Sequence, residues 1–134
     1  MIIQKTDTQT FEQDTKMMII AVDYDETIVQ DSFPHVGTLK PDAKEVINEL
    51  YDNGHFIIIW TCRHGENADD AHKFLTDNGI KFHSFNEHKP ENIEKYGNDT
   101  RKIFADIYID DKNLGGLPET WKEIREVLKT KHLI

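Results

Sequence analysis

The sequence predicts an α/β fold with a parallel sheet, and three observations point to it. Short apolar runs alternate with segments in which apolar residues recur at helical spacing. Two of these runs are continuous, as in strands that are buried on both faces of a parallel sheet. Two Asp-Asn-Gly triplets, at 52–54 and 77–79, each end a helical pattern and precede an apolar run, and glycine in that position closes a helix. Together these features indicate βαβ units in a Rossmann-like, doubly wound sheet.

The first elements follow from residue 17. The apolar run MMIIAV predicts a strand over 17–23, and an irregular stretch at 27–40 leads to a helix over 41–53. Proline suits the first position of this helix. Its apolar residues have the i, i+3, i+4, i+7 spacing of one buried face, which consists of Ala43, Val46, Ile47 and Leu50.

The remaining elements alternate in the same way. Strands are predicted at 55–60, 81–85 and 106–110. Helices are predicted over 66–78 and from Pro118, with inward faces formed by Ala68, Ala71, Phe74 and Leu75 and by Trp121, Ile124 and Leu128. The polar segment 86–100 has no periodicity, so it is expected to be a loop with room for a short helical turn.

Length, charge and cysteine content limit the class of protein. The 134 residues predict one domain over 17–134, preceded by a polar leader at 1–16. A net charge of −9 argues against wrapping nucleic acid. The single cysteine, Cys62, excludes an intramolecular disulfide and fits a reducing compartment. No apolar run has the length of a membrane span, so a cytoplasmic protein without membrane contacts is expected.

Two acidic pairs, Asp23/Asp25 and Asp110/Asp111, follow predicted buried strands. The carboxyl ends of such strands form the edge at which open α/β sheets bind ligands. Asp23 and Asp25 share a face of an extended chain, so that one can attack an electrophile while the other handles a proton. Four carboxylates in one crevice repel each other unless a cation lies among them, and oxygen ligands favour Mg²⁺. A solvated turn is the alternative for the first pair.

The order of these motifs resembles that of the haloacid dehalogenase (HAD) superfamily of phosphohydrolases. The segment DYDET at 23–27 resembles the family's DxDxT motif, and Thr61 stands where the family has Thr or Ser after the next core strand. Lys102 precedes the last acidic strand, and the acidic pair at 110–111 follows it. The stretches WTCRHGE and IDDKNLGG look like those of small capless bacterial hydrolases. Glu26 stands where glycine is frequent in the family.

The resemblance implies a HAD-like core and a role for each carboxylate. Asp23 would be the nucleophile that forms an aspartyl-phosphate, with its other oxygen on Mg²⁺. Asp25 would be the general acid and then the general base, and its backbone carbonyl would bind the metal. Asp110 and Asp111 would complete the metal site.

Substrate contacts are expected from four further residues. The resemblance implies that Thr61 and Lys102 bind phosphoryl oxygens. Thr27, the last residue of the DYDET segment, is likewise expected to contact the substrate. Arg63 follows Thr61 to the same edge and can fork onto a phosphate or a carboxylate, with a surface ion pair as the equal alternative. His64 is a proton-transfer candidate only by its proximity.

The sequence thus predicts a Mg²⁺-dependent phosphatase that hydrolyses a phosphate monoester. The intervals from Thr27 to Thr61 and from Thr61 to Lys102 are filled by the predicted elements, so no cap domain and an open site are expected. A small phosphorylated substrate is expected, although a polynucleotide end or a phosphoprotein also fits an open site. The alternatives are a receiver-like signalling module, which needs an acceptor Asp where this chain has Thr61, and a catalytically silent HAD-like binding protein.

Overall fold

The computed structural model describes residues 16–134. The leader predicted at 1–16 lies outside them, apart from Lys16. The strands are β1 (Ile19–Val22), β2 (Val29–Gln30), β3 (Thr38–Leu39), β4 (Phe56–Ile59), β5 (Ser84–Phe85) and β6 (Ile107–Ile109). The helices are α1 (Ala43–Asp52), α2 (Gly65–Asp77), α3 (Pro90–Tyr96) and α4 (Trp121–Thr130). None of the helices in 16–134 has the length and apolar character needed to cross a bilayer.

The main sheet has the strand order β5-β4-β1-β6, and all of its strand pairs are parallel. This confirms the predicted α/β class with a parallel sheet, and the arrangement is compatible with a Rossmann-like, doubly wound fold. The central strand β1 is buried along its whole length, with Ile20 paired to Ile57 of β4 and to Ile107 of β6. Its continuous apolar run therefore reflects neighbours on both edges and on both faces.

Alternate residues of the strands belong to two separate apolar clusters. Ile20 and Ile57 lie in the larger cluster with buried residues of α1, α2 and α4, whereas Ala21 and Ile58 lie in the smaller one with Ile103 of the segment before β6. The crossovers from β1 to β4 and from β4 to β5 thus cover one face, and the return to β6 covers the other. The chain reverses its direction across the sheet between β1 and β6, which is the switch point where such sheets bind ligands.

The segment 27–40, predicted to be irregular, contains a small antiparallel ribbon. Val29 pairs with Leu39 and Gln30 with Thr38. Gly37 has a φ of +82°, and a Cβ at this position would lie 2.8 Å from the carbonyl oxygen of Gln30. The ribbon therefore depends on glycine for its close turn. Strands of two residues are too short to show an alternating apolar pattern, so the sequence did not predict the ribbon.

Three other boundaries differ from the prediction. The third strand is shortened to β5, because the backbone N–H of Lys81 donates to the side chain of Asn48 and not to β4. The segment 86–100, predicted to be a loop with room for a short helical turn, contains the helix α3, whose two turns exceed that allowance. The last helix begins after Thr120, which forms a reciprocal capping box with Glu123, and not at Pro118. The spacing Thr-x-x-Glu was the sequence signal for that start.

Candidate functional site

The carboxyl edge of β1 and β6 brings three carboxylates together. Asp23 follows β1, and its backbone N–H donates to the carbonyl oxygen of Ile109 at 2.9 Å, which aligns the two strand ends. Asp110 and Asp111 follow β6 directly. One oxygen from each of Asp23, Asp110 and Asp111 lies within 4.8 Å of the others. The prediction that the two acidic pairs meet at one edge is therefore confirmed for these three side chains.

Thr27 contacts two of the three carboxylates of this cluster from the interior of the protein. Its side chain is fully buried, and its hydroxyl lies 3.1 Å from Oδ2 of Asp23 and 3.2 Å from Oδ1 of Asp111. The same hydroxyl accepts the backbone N–H of Asp111 at 3.1 Å. The expected substrate contact of Thr27 is thus corrected, because a buried hydroxyl with these partners has no surface to offer a ligand. Thr27 fixes the distance between the two acidic strand ends.

The acidic cluster is electrostatically strained. Burial, the hydrogen bond with Asp111 and the negative charge of Asp110 raise the pKa of Asp23 to about 8. Burial also acts to raise the pKa of Asp111, but the hydrogen bonds with Asp23 and Thr27 outweigh it and lower that pKa. The two shifts have opposite directions because two adjacent carboxylates do not both ionise readily, so the cluster favours retention of a proton on Asp23. A cation at this position would replace that proton.

The raised pKa of Asp23 predicts an unusual dependence of stability on pH. The unfolded chain releases this proton near pH 4 and the folded one near pH 8, so the folded state holds the extra proton between them. Stability of the metal-free protein should then fall as the pH rises from about 4 to about 8. Melting temperatures in excess chelator test this, with Asp23→Asn as the variant that lacks the titrating group. Identical slopes for the two proteins would refute the raised pKa.

Asp25 lies apart from the cluster and forms a buried ion pair with Arg63. Nε of Arg63 donates to Oδ2 at 3.0 Å and Nη2 donates to Oδ1 at 2.7 Å, in the bidentate geometry that arginine favours. Ser32 donates a further hydrogen bond to Oδ1. The Arg63 side chain is 1% exposed and that of Asp25 is 28% exposed. Of the two expectations for Arg63, the ion pair is the one observed, and it is buried rather than on the surface.

Two aromatic rings complete the surroundings of this ion pair. The Arg63 guanidinium carbon lies 4.9 Å from the ring centroid of Tyr24 and 5.3 Å from that of Phe33. Burial acts to raise the pKa of Asp25, but the hydrogen bonds from Arg63 and Ser32 outweigh it and lower the pKa. The charged form of Asp25 is consequently favoured, and its position is fixed by donors on both oxygens.

Thr61 lies at the same edge of the sheet, two residues beyond β4. Its backbone N–H donates to Oδ1 of Asn86 at 2.8 Å, and its hydroxyl accepts the backbone N–H of Arg63 at 3.1 Å. Asn86 has a φ of +59° after β5 and also donates to the carbonyl oxygen of Arg63 at 3.4 Å. Asn86 thus fixes the backbone of Thr61 and Arg63. The sequence does not indicate this role, because Asn86 stands among other polar residues of the same kind. His64 is exposed and directly precedes α2.

Lys102 does not contact the carboxylates of Asp23, Asp110 and Asp111. Its ammonium lies 5.7 Å from the ring centroid of Tyr108, and within 16–134 it forms no ion pair with an acidic side chain. The neighbouring residues Ile103 and Ala105 are buried on the second face of the sheet, which fixes the path of this segment. In the described part of the chain, the cluster is instead contacted by the exposed Lys112, with Nζ 3.6 Å from Oδ2 of Asp111.

Comparison with known proteins gives one informative result. No family model matches the chain, and no curated protein matches it. A solved structure, described as the conserved protein coded by a locus of Bacteroides thetaiotaomicron, superposes with a TM-score of 0.77. Its sequence is 38% identical, and the match covers 87% of this chain and 93% of that one. The description names no activity.

Proposed function

The chain belongs to the family of this conserved Bacteroides thetaiotaomicron protein, and we propose from its own site that it is a Mg²⁺-dependent phosphatase acting on a phosphate monoester. The observation that carries the proposal is the set of carboxylates of Asp23, Asp110 and Asp111, within 4.8 Å of one another at the switch point of the sheet. A second acid, Asp25, follows Asp23 by two residues and keeps part of its surface exposed. A nucleophile, a proton carrier and a cation site are the groups used in hydrolysis through a covalent phosphoryl-enzyme.

The donor set fits a hard divalent cation. Asp23, Asp110 and Asp111 would hold Mg²⁺ through carboxylate oxygens, and Asp25 would add its backbone carbonyl, since this ion prefers oxygen ligands. The raised pKa of Asp23 fits as well, because neighbouring carboxylates favour a positive charge among them. When bound, the ion would supply positive charge to the phosphoryl oxygens.

Asp23 and Asp25 divide the chemistry in the proposed reaction. An oxygen of Asp23 attacks phosphorus, the bond to the leaving oxygen breaks, and the protonated form of Asp25 gives that oxygen its proton. In the second step Asp25 takes a proton from water as the water attacks the phosphoryl-aspartate, which releases inorganic phosphate and restores Asp23. Thr61 supports the phosphoryl group, because its hydroxyl accepts from Arg63 and retains its own hydrogen to donate.

Arg63 is a positioning residue in this proposal. Its bidentate contact fixes the plane of the Asp25 carboxylate and favours its charged form, which is the state required of a base. The rings of Tyr24 and Phe33 hold the guanidinium in turn. The proposal also includes an open site without a cap, a small phosphorylated substrate and a cytoplasmic location.

A catalytically silent binding protein is the second candidate, and the same ion pair favours it. A carboxylate that arginine holds in its charged form is a weak proton donor in the first step. Turnover of an aryl phosphate in the presence of Mg²⁺ separates the two candidates, because a binding protein releases no phosphate. The Asp25 carboxylate need not donate to this substrate, whose leaving group departs without a proton.

Metal dependence is the primary test of the proposed function. Chelation should abolish release of inorganic phosphate from an aryl phosphate, and added Mg²⁺ should restore it. Because Mg²⁺ would bind only the folded cluster, it should also raise the melting temperature, by an increment that grows with its concentration. The matched control is Asp99→Asn, which removes an exposed carboxylate outside the cluster and should change neither result. Full activity in excess chelator would refute the metal assignment.

A further inference from the structure

A cavity of about 370 Å³ opens beside the ion pair of Asp25. It is lined by Asp25, Phe33, Cys62, Arg63, His64 and Asn67. Its volume lies at the lower end of the range for small-molecule sites, so it suits one ring-bearing group better than a polymer. The three carboxylates of the cluster, Asp23, Asp110 and Asp111, are not among its lining residues, so the cavity lies beside the metal cluster and is joined to it through Asp25.

The position of this cavity indicates which part of a substrate it would receive. In the proposed reaction, on which this inference rests, Asp25 gives its proton to the leaving oxygen and must lie within hydrogen-bond distance of it. The Asp25 side chain is 28% exposed, and a leaving group can reach the carboxyl group only through this exposed part. The cavity adjoins Asp25, so a leaving group attached to that oxygen has room there.

The charges around the cavity favour an uncharged leaving group. The positive charge of Arg63 is matched by Asp25 through two hydrogen bonds. Its other nitrogen contacts are with the carbonyl oxygens of His35 and Asn67. Among residues 16–134, no lysine lines the cavity. A second phosphate or a carboxylate on the substrate would therefore meet no lysine and no unpaired arginine among these lining residues, and burying an unpaired charge is costly.

Phe33 adds a preference for an aromatic group. Its side chain is 64% exposed although Arg63 lies 5.3 Å from its ring centroid, so much of the ring is without a packing partner among the described residues. Ring pairs are more favourable than their buried area alone suggests. We infer that this cavity binds the leaving group of the substrate and selects an uncharged group that carries an aromatic ring, as in a nucleoside or aryl phosphate.

Binding of non-hydrolysable phosphonates tests the inference without depending on turnover. Benzylphosphonate and cyclohexylmethylphosphonate have the same charge and similar size, but only the first is aromatic. In calorimetric titrations of the full chain with Mg²⁺, benzylphosphonate should bind about tenfold more tightly. Phe33→Leu should remove most of this preference. Tyr96→Leu, which alters an exposed ring outside the cavity, should retain it.

Methylphosphonate, which has no ring, serves as the internal control for the phosphoryl site. It should bind equally to the wild type and to Phe33→Leu, showing that the variant is folded and that its metal cluster is intact. Absence of a ring preference in the wild type, or its survival in Phe33→Leu, would overturn the aromatic subsite while leaving the phosphatase proposal standing. Failure of all three phosphonates to bind, together with absence of turnover, would overturn the proposed function and this subsite with it.

Discussion

Asp23→Asn should abolish turnover and leave no covalent phosphoryl-enzyme. The amide cannot attack phosphorus, and it also removes one of the three carboxylates that would hold the cation. Loss of a nucleophile in a covalent mechanism commonly lowers kcat by about four orders of magnitude or more. The measurement is release of phosphate from an aryl phosphate, together with the intact mass of protein quenched in acid. The wild type should show the added mass of one phosphoryl group, and Asp23→Asn should not.

Misfolding is not expected to explain this loss. The substitution removes a buried carboxyl group with a pKa raised to about 8, so the metal-free variant should melt at or above the wild-type temperature near neutral pH. Asp77→Asn, an exposed carboxylate on α2, is the matched control and should retain activity. A phosphorylated mass in Asp23→Asn would transfer the nucleophile to another residue and would contradict the proposed mechanism.

Asp25→Asn should fail in a different way, because it retains the nucleophile and loses proton transfer. General acid–base catalysis typically contributes about 10²–10⁴-fold. With an activated aryl phosphate, whose leaving group needs no proton, the variant should release one equivalent of the phenol rapidly. It should then turn over slowly, because no base activates water. With an alkyl phosphate the first step itself should be slow. Rapid-quench measurements with both substrates separate the two steps.

The ion pair with Arg63 requires a second variant in this experiment. Asp25→Asn leaves the guanidinium of Arg63, which is 1% exposed, without its charged partner, and such a buried charge destabilises the fold. Asp25→Asn combined with Arg63→Gln removes both charges and should recover melting temperature without recovering turnover. Equal losses in the rate of the first step with aryl and alkyl phosphates, in both variants, would contradict the role of Asp25 as proton carrier.

Several features of this protein could be predicted from sequence, because they depend on local patterns. The apolar run before Asp23 specifies a strand that is buried along its whole length, and the one before Asp110 specifies a partly buried strand at the edge of the described sheet. Parallel strands bring their carboxyl ends to one edge, so the meeting of Asp23 with Asp110 and Asp111 follows from chain direction alone. Helical spacing in α1 likewise gives its buried face without any long-range information.

Only the tertiary structure decided how the remaining polar residues are used. Thr27 is buried and its hydroxyl contacts the carboxylates of Asp23 and Asp111. Arg63 forms an ion pair with Asp25. Lys102 lies against Tyr108 and not beside Asp23. Each of these contacts depends on the path of the loops and on which side chains the fold places within contact distance. Such contacts join residues that are distant in sequence and follow no period, so no local pattern encodes them.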